Sequence, residues 1–138
     1  MSTLANAMTT NLKTISCEAS VFEAAQKLRV ERIGCLLVER TGKLLRDCET
    51  KIIGLVSETD IIRKAVAEEK NLYETPVESI ITSPMITVGT TWPIEEAYDM
   101  MKQQEVRYLL VTNSEKVVGL ISMRDILVHL KEIENISL

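Results

Sequence analysis

The sequence has little of the chemistry that catalytic and metal sites require. Its 138 residues include one histidine, His129, so a metal site built from several histidines of one chain is excluded. The three cysteines, Cys17, Cys35 and Cys48, form no Cys-x-x-Cys pair, which is typical of reduced thiols rather than of a disulfide framework. There is no P-loop and no Gly-x-Gly-x-x-Gly motif. We expect a binding protein with no catalytic residues, no metal and no required cofactor, and we expect His129 at the surface.

The sequence also lacks features typical of membrane-spanning, secreted and nucleic-acid-binding proteins. No segment approaches the roughly 20 consecutive apolar residues that cross a bilayer. The N-terminus has no charged stretch followed by an apolar one, so no signal peptide is expected. The 16 Lys and Arg residues against 20 Asp and Glu residues give a net charge of -4. This balance makes nucleic acid an unfavourable partner, because its binding begins with neutralised phosphates. We expect a cytoplasmic protein that binds neither membrane nor nucleic acid.

What the sequence does contain is an internal repeat. The run Gly54-Leu55-Val56-Ser57-Glu58-Thr59-Asp60-Ile61 and the run Gly119-Leu120-Ile121-Ser122-Met123-Arg124-Asp125-Ile126 are identical at five of eight positions. Upstream, Thr14-Ile15 matches Thr87-Val88. The first copy has eight extra residues between its two paired strands, within residues 39–53, and no role is assigned to them. We place the first copy at residues 1–75 and the second at residues 76–138.

Each copy predicts the same secondary structure. Apolar residues fall on one helix face in both copies, at Val21, Ala24, Ala25 and Leu28 and at Ile94, Ala97, Tyr98 and Met101. Ser20 with Glu23 predicts a capping box at the start of the first helix, and Pro93 suits the first turn of its counterpart. Short apolar runs then predict two strands, and a second helix starts at each repeated Ser. The unit is β-α-β-β-α, so the fold class is α/β (α+β) with two copies.

The repeated Gly-x-x-Ser-x-x-Asp element runs from a strand into a helix and has two interpretations. In the first it is a capping box: Ser57 and Ser122 cap their helices, and Asp60 and Asp125 lie in the first turn, where negative charge suits the helix dipole. In the second it also binds a ligand. A carboxylate there repels phosphate but accepts hydrogen bonds from a neutral diol, such as the ribose hydroxyls, which points to a nucleoside.

With these elements the two copies resemble CBS motifs, and the chain is similar to a tandem CBS pair, or Bateman module, from about Leu4 to about Lys131. The resemblance is carried by Met8-Thr9 and Ile80-Ile81-Thr82 ahead of the matched Thr pairs, and by the two Gly-x-x-Ser-x-x-Asp-Ile elements in register. It implies two copies packed about a pseudo-twofold axis, two ligand clefts between them, and modules that dimerise into a flat disk.

The resemblance also implies a function. Family members commonly bind AMP, ADP, ATP or S-adenosylmethionine, and they regulate another protein rather than catalyse. The binding residues carried over by position are Thr14, Ile15, Ser57, Asp60, Thr87, Val88, Ser122 and Asp125. By this resemblance the aspartates contact ribose, the serines approach sugar or phosphate, and the threonines with their apolar neighbours line the clefts near phosphate and base. Which Thr faces which Asp stays open.

The two clefts are expected to differ in charge. Arg107 precedes a strand of the second copy and Arg124 precedes Asp125, so two guanidinium groups could bind phosphate bidentately. The alternative is that both are solvated surface arginines. In the first copy Gly34 takes the place of Arg107, and Glu58 lies near the aspartate. We therefore expect the second cleft to bind a phosphorylated adenosine ligand more tightly, and the first to be weaker or to prefer a less charged ligand.

Four further residues keep two interpretations each. Tyr108 stands where many CBS motifs have the His of a His-Leu-Pro run, and it either fills the core or stacks on a base. Trp92 either packs in the fold or a dimer, or stacks on a base. Gly54 and Gly119 either leave room for a close neighbour or serve the hairpin.

Two functions remain in competition. The leading one is a regulatory adenine-nucleotide sensor, most simply a homodimer, that signals to an unidentified protein. The alternative is a dimerisation or interaction scaffold with vestigial clefts.

Overall fold

The computed structural model describes residues 2–41, 50–83 and 85–136, with side chains to residue 132. Most of the insertion in the first copy, with Cys48, lies outside the described residues, as does Pro84, which the sequence places near the joint between the copies. The strands are β1 (Thr14–Ser16), β2 (Cys35–Thr41), β3 (Thr50–Ser57), β4 (Thr87–Gly89), β5 (Tyr108–Asn113) and β6 (Lys116–Ser122). The helices are α1 (Val21–Glu31), α2 (Glu58–Asp60, continuing as a π-helix over Ile61–Val66), α3 (Ile94–Gln104) and α4 (Met123–Ile136), with 3₁₀ turns at Leu4–Asn6 and Val77–Ser79.

Both copies build the same three-stranded sheet. The strand order is β1-β2-β3 in one and β4-β5-β6 in the other, with the first pair parallel and the second antiparallel. Each hairpin has a register shift at the same place, after Val38 and after Val111. The predicted β-α-β-β-α order is therefore confirmed in both copies.

The long helices begin and end by local chemistry. The Ser20 hydroxyl accepts a hydrogen bond from the Glu23 amide at 3.1 Å, so the Ser20 half of the predicted capping box forms. Pro93 is the extended residue just before α3 and does not lie in its first turn. Both helices end at a left-handed residue that is not glycine, Arg32 (φ 56°) and Glu105 (φ 55°).

The chain divides into two packed units that do not follow the repeat boundary. The first unit is Lys13–Met85, and the second unit is Met1–Leu12 with Ile86–Leu138. Leu4 is completely buried in the core that contains Ile94 and Leu109, and Val77 is completely buried in the core that contains Val21 and Leu36. The predicted division at residues 75 and 76 is therefore a boundary of the repeat and not of the packed units. Leu4, in the opening segment of the first repeat, is thus buried in the unit that holds most of the second repeat. Val77, in the opening segment of the second repeat, is buried in the unit that holds most of the first.

Gly54 and Gly119 allow these segments to approach the hairpins. Thr82 pairs with Leu55, and Thr9 pairs with Leu120, each in an isolated antiparallel bridge. A Cβ at Gly54 would lie 2.9 Å from the Thr82 carbonyl oxygen, and a Cβ at Gly119 would lie 2.6 Å from the sulfur of Met8. The close-neighbour interpretation of these glycines is confirmed, and the neighbour is the chain itself.

Candidate functional site

The candidate site of the first unit is where β3 ends and α2 begins. The Ser57 hydroxyl accepts a hydrogen bond from the Asp60 amide at 3.2 Å, and the Ser57 amide donates to Asp60 Oδ2 at 3.0 Å. This is a reciprocal capping box. It holds the carboxylate at the first turn of the helix, where it also completes the cap.

The second unit repeats this geometry where β6 meets α4. The Asp125 amide donates to the Ser122 hydroxyl at 3.0 Å, and the Ser122 amide donates to Asp125 Oδ2 at 2.9 Å. The capping interpretation is therefore confirmed at both elements. It does not exclude the ligand interpretation, because a carboxylate accepts about four hydrogen bonds and the cap uses only some of them.

The two carboxylates differ in their other partners. The Thr82 hydroxyl lies 3.0 Å from Asp60 Oδ1 and 3.1 Å from Oδ2. The Lys64 ammonium lies 2.9 Å from Asp60 Oδ1 and also donates to the carbonyls of Ile80 and Ile81 at 3.4 Å. Asp60 is 6% exposed and is the one buried polar or charged residue among those the structure describes.

Asp125 is half-buried and has fewer partners. Within residues 2–41, 50–83 and 85–136, no group donates a hydrogen bond to its Oδ1. The repeat places Thr9 where the first copy has Thr82, and His129 where it has Lys64. Thr9 is exposed and donates no hydrogen bond to Asp125. Part of the Asp125 carboxylate is therefore open to a donor from outside the described chain.

His129 is not the surface residue that the sequence predicts. It is half-buried, and its Nε2 is buried without a hydrogen-bond partner in the part of the chain that the structure describes. The fourth position after Asp125 lies one helical turn along the same face, and helical side chains tilt toward the N-terminus. His129 therefore lies on the same helix face as Asp125, one turn further along.

Two exposed arginines, Arg107 and Arg124, lie near the start of α4, where Asp125 also lies. The Met123 amide donates to the Arg107 carbonyl at 2.9 Å, which fastens the residue before β5 to the start of α4. Arg124 follows at once. Neither guanidinium makes an ion pair or hydrogen bond with a described residue. In the first unit the same backbone bond, at 3.0 Å, joins the Gly34 carbonyl to the amide of Glu58. Gly34 and Thr59 replace the two arginines there, and the carboxylate of Glu58 replaces Met123.

The predicted threonines lie at the same end of each sheet as the capping serines, but on the opposite edge strand. Thr14 pairs with Leu37 of β2, which in turn pairs with Leu55 of β3, so Thr14 is about 10 Å from the strand that ends at Ser57. Its hydroxyl donates to Glu39 at 3.3 Å, and its carbonyl accepts from the Lys27 ammonium. Thr87 holds the equivalent place in the second unit and is exposed.

Ile15 and Val88, predicted to line the clefts, lie in the hydrophobic cores of their units. Their side chains are 8% and 3% exposed and belong to the two hydrophobic cores. Strand alternation turns them away from the sheet face that holds their Thr neighbours.

The strand openings next to the capping serines also differ. Cys35 pairs with Ser57, and Tyr108 pairs with Ser122. Burial, and secondarily the charge of Asp60, raises the pKa of the Cys35 thiol to about 12, so this thiol stays protonated at neutral pH. Tyr108 is half-buried, and its core and stacking interpretations both stay predictions. Trp92 packs against the hydrophobic core of the second unit.

A family model accounts for both copies. The CBS domain model matches residues 4–67 and again residues 77–132. The chain belongs to the CBS domain family. The tandem CBS pair that the repeat predicted is confirmed, and so is its mixed α and β fold.

Known CBS proteins resemble the chain over nearly its full length. The CBS domain-containing protein YhcV of Bacillus subtilis (strain 168) is 24% identical over 129 residues, which are 94% of this chain and 86% of that protein. Some curated relatives are longer: this chain spans 50% of the protein MK0525 of Methanopyrus kandleri, at 30% identity, and 19% of the CBS domain-containing protein CBSCBSPB5 of Arabidopsis thaliana, at 29% identity.

Two solved structures show the same likeness. One is a protein with CBS domains from Burkholderia ambifaria MC40-6, described as a candidate signal-transduction protein; the TM-score is 0.82 at 27% identity, over 94% of this chain and 93% of that one. The other is the hexameric CBS-CP12 protein from bloom-forming cyanobacteria, with a TM-score of 0.81 at 26% identity, over 97% of this chain and 74% of that one.

The described side chains give no alternative centre. They include no group of three His, Cys, Asp or Glu residues that could hold a metal ion. None of the described helices is long and apolar enough to cross a membrane. The residues that the sequence reasoning missed are Lys64, Thr82 and His129. The repeat itself could have found them, because aligning the two copies pairs Lys64 with His129 and Thr82 with Thr9.

Proposed function

We propose that this CBS pair is a regulatory, non-catalytic module that binds a phosphorylated adenosine ligand at the start of α4. The observation that carries the proposal is the Asp125 carboxylate, which the cap holds through Oδ2 while Oδ1 has no donor among the described residues. AMP, ADP, ATP and S-adenosylmethionine are the ligands that the family resemblance suggests.

Asp125 is the group for the ribose. A carboxylate only accepts hydrogen bonds, and a vicinal diol offers two donors at a spacing that suits its two oxygens. The capping bond from the Ser122 amide fixes the carboxylate in place before the ligand arrives. Less side-chain entropy is then lost on binding.

Arg107 and Arg124 are the groups for the phosphate. Guanidinium is always charged and offers several donors in a plane, which matches phosphate oxygens. Both side chains are exposed, and the backbone bond between Arg107 and Met123 keeps them near the same helix start. The start of α4 also carries the positive end of the helix dipole.

Isothermal titration calorimetry tests this assignment. AMP, ADP, ATP, S-adenosylmethionine and adenosine are titrated into the wild type and into Asp125→Asn, which keeps an oxygen for the cap but loses the charged acceptor. We expect at least a tenfold loss of affinity for the ligand that binds best. Arg107→Gln and Arg124→Gln should weaken AMP but leave adenosine unchanged. If no ligand binds, or if Asp125→Asn binds as the wild type does, the proposal is overturned.

We also propose that the module self-associates and signals through that assembly. Ile62 (60% exposed) and Leu127 (54% exposed) occupy equivalent positions on α2 and α4 and present apolar surface. Homodimerisation is the arrangement that the resemblance implies, and the hexameric CBS-CP12 protein shows that higher assemblies occur among similar folds. Sedimentation equilibrium of the wild type and of Ile62→Asp with Leu127→Asp tests this: the wild type should sediment as a dimer or larger, and the variant as a monomer.

A scaffold without ligand is the second candidate. It is favoured by one observation, the complete use of the Asp60 carboxylate within the first unit. A thermal-shift screen separates the two functions, because a ligand that binds only the folded state raises the melting temperature. A shift with an adenine nucleotide that Asp125→Asn abolishes supports the sensor. No shift with any of the ligands supports the scaffold.

A further inference from the structure

We propose that Lys64 and Thr82 act as an internal latch on Asp60 and so restrict nucleotide binding to the second repeat, at one ligand per chain. The inference rests on the proposed function. It adds the two residues that determine which of the two matched carboxylates is available.

The first step is the hydrogen-bond capacity of Asp60. Its two oxygens receive the Ser57 amide at 3.0 Å, the Ser57 hydroxyl at 3.1 Å, the Thr82 hydroxyl at 3.0 Å and 3.1 Å, and the Lys64 ammonium at 2.9 Å. Four donor groups fill the roughly four lone-pair sites of a carboxylate. A ribose diol needs two of these sites and would have to displace donors already present.

The second step is the free-energy cost of displacing those donors from Asp60. The Asp60 side chain is 8% exposed, whereas that of Lys64 is 45% exposed. A buried carboxylate that exchanges an ammonium partner for a neutral hydroxyl loses a charge-assisted bond, which is stronger than a neutral one. Lys64 also donates to the carbonyls of Ile80 and Ile81, so its displacement would release those acceptors too. A diol therefore gains little at Asp60.

The third step is the contrast with the second repeat. Thr9 and His129 stand where Thr82 and Lys64 stand in the first, and neither bonds to Asp125. The ammonium is replaced by an imidazole whose Nε2 has no hydrogen-bond partner in the described part of the chain. Lys64 and Thr82 thus bond to Asp60, whereas the equivalent residues His129 and Thr9 do not bond to Asp125.

An exchange of these residues tests the latch, with AMP as the probe in calorimetry and equilibrium dialysis. We expect the wild type to bind one AMP per chain. Lys64→His combined with Thr82→Val should open Asp60 and add a second ligand per chain, measured with adenosine because the first unit has no counterpart of Arg107 and Arg124 to hold a phosphate. His129→Lys should install a latch on Asp125 and weaken AMP at least tenfold. The matched controls are Arg63→His, an exposed neighbour of Lys64, and Gln103→Lys, which adds the same charge at an exposed site on α3; both should bind AMP as the wild type does.

The outcomes separate the latch from the proposed function. If the wild type binds no AMP or other adenosine ligand, the proposed function fails. If the wild type binds two AMP per chain, or if Asp60→Asn weakens AMP as much as Asp125→Asn, the latch is wrong while the function stands. A folded double variant that still binds one adenosine per chain also overturns the latch. Should the double variant unfold, the His129→Lys arm decides: unchanged AMP affinity there contradicts the latch.

Discussion

The hydroxyl of Thr82 lies 3.0 Å from Oδ1 of Asp60, a residue 22 positions earlier in the chain. This bond joins the opening segment of the second repeat to α2, whose first turn contains Asp60. The equivalent Thr9 makes no such bond to Asp125 among the described residues. Two carboxylates with the same sequence context therefore have different hydrogen-bond partners.

Thr82→Val should destabilise the ligand-free protein by about 1–3 kcal/mol, because it removes a donor from a buried carboxylate. Thr9→Val, at the exposed equivalent position, should change the stability by less than about 0.5 kcal/mol. Urea unfolding of the two variants and the wild type measures the difference. Equal effects of the two substitutions would contradict the asymmetry between Asp60 and Asp125.

Gly54→Ala should destabilise the protein more than Gly119→Ala does. The added Cβ at residue 54 meets a backbone carbonyl oxygen at 2.9 Å, whereas at residue 119 it meets the flexible end of Met8. Overpacking against backbone costs about 1–3 kcal/mol. Gly89→Ala is the control, since its nearest neighbour would be 3.6 Å away, and its melting temperature should match that of the wild type. A melting temperature of Gly54→Ala equal to that of Gly89→Ala would refute the close approach.

Replacing the left-handed helix ends by glycine should stabilise the chain. Arg32 and Glu105 adopt φ of 56° and 55°, a conformation that costs an L-residue about 1 kcal/mol and glycine almost nothing. Arg32→Gly should gain somewhat less than 1 kcal/mol, because glycine also loosens the unfolded chain. Glu105→Gly should gain more, since it also removes a negative charge from a helix C-terminus. Arg29→Gly, inside α1, is the control and should lose stability in the same denaturation assay.

The free energy of unfolding should decrease above about pH 9 because of the Cys35 thiol. Its pKa is raised from 9.0 to about 12 in the folded protein, by burial and then by Asp60. Between these values the unfolded chain has lost the thiol proton that the folded chain keeps, so the free energy of unfolding decreases by up to about 1.4 kcal/mol per pH unit. Cys35→Ala removes this contribution. The stability of the wild type minus that of Cys35→Ala, measured by urea unfolding from pH 8 to pH 11, should decline; a constant difference would show that the thiol is not shielded.

Much of the fold could be predicted because local sequence patterns specify it, and the same patterns occur in both repeats. The Ser20 cap, the apolar face of α1 and the Ser57 and Ser122 elements each depend on neighbours within a few residues. The repeat then supplies the order of the strands. The burial of Leu4 in the second unit could not be predicted, because it depends on which sheet a distant segment packs against.

The site was predicted less completely for the same reason. The capping pair of Ser122 and Asp125 is local, and so is the neighbouring Arg124. The bond from Thr82 to Asp60 requires a chain reversal that brings residue 82 back to Leu55, and no local pattern encodes it. The burial of Ile15 was not predicted, because a two-residue match fixes the strand but not which face of it meets the core.

The most direct test of the central claim is a crystal structure of the wild type grown with saturating AMP. The account predicts AMP at the start of α4, with its ribose hydroxyls within hydrogen-bond distance of the Asp125 carboxylate and its phosphate against Arg107 or Arg124. In the same crystals Lys64 and Thr82 should remain on Asp60. AMP bound at Asp60 with the start of α4 empty would contradict the account.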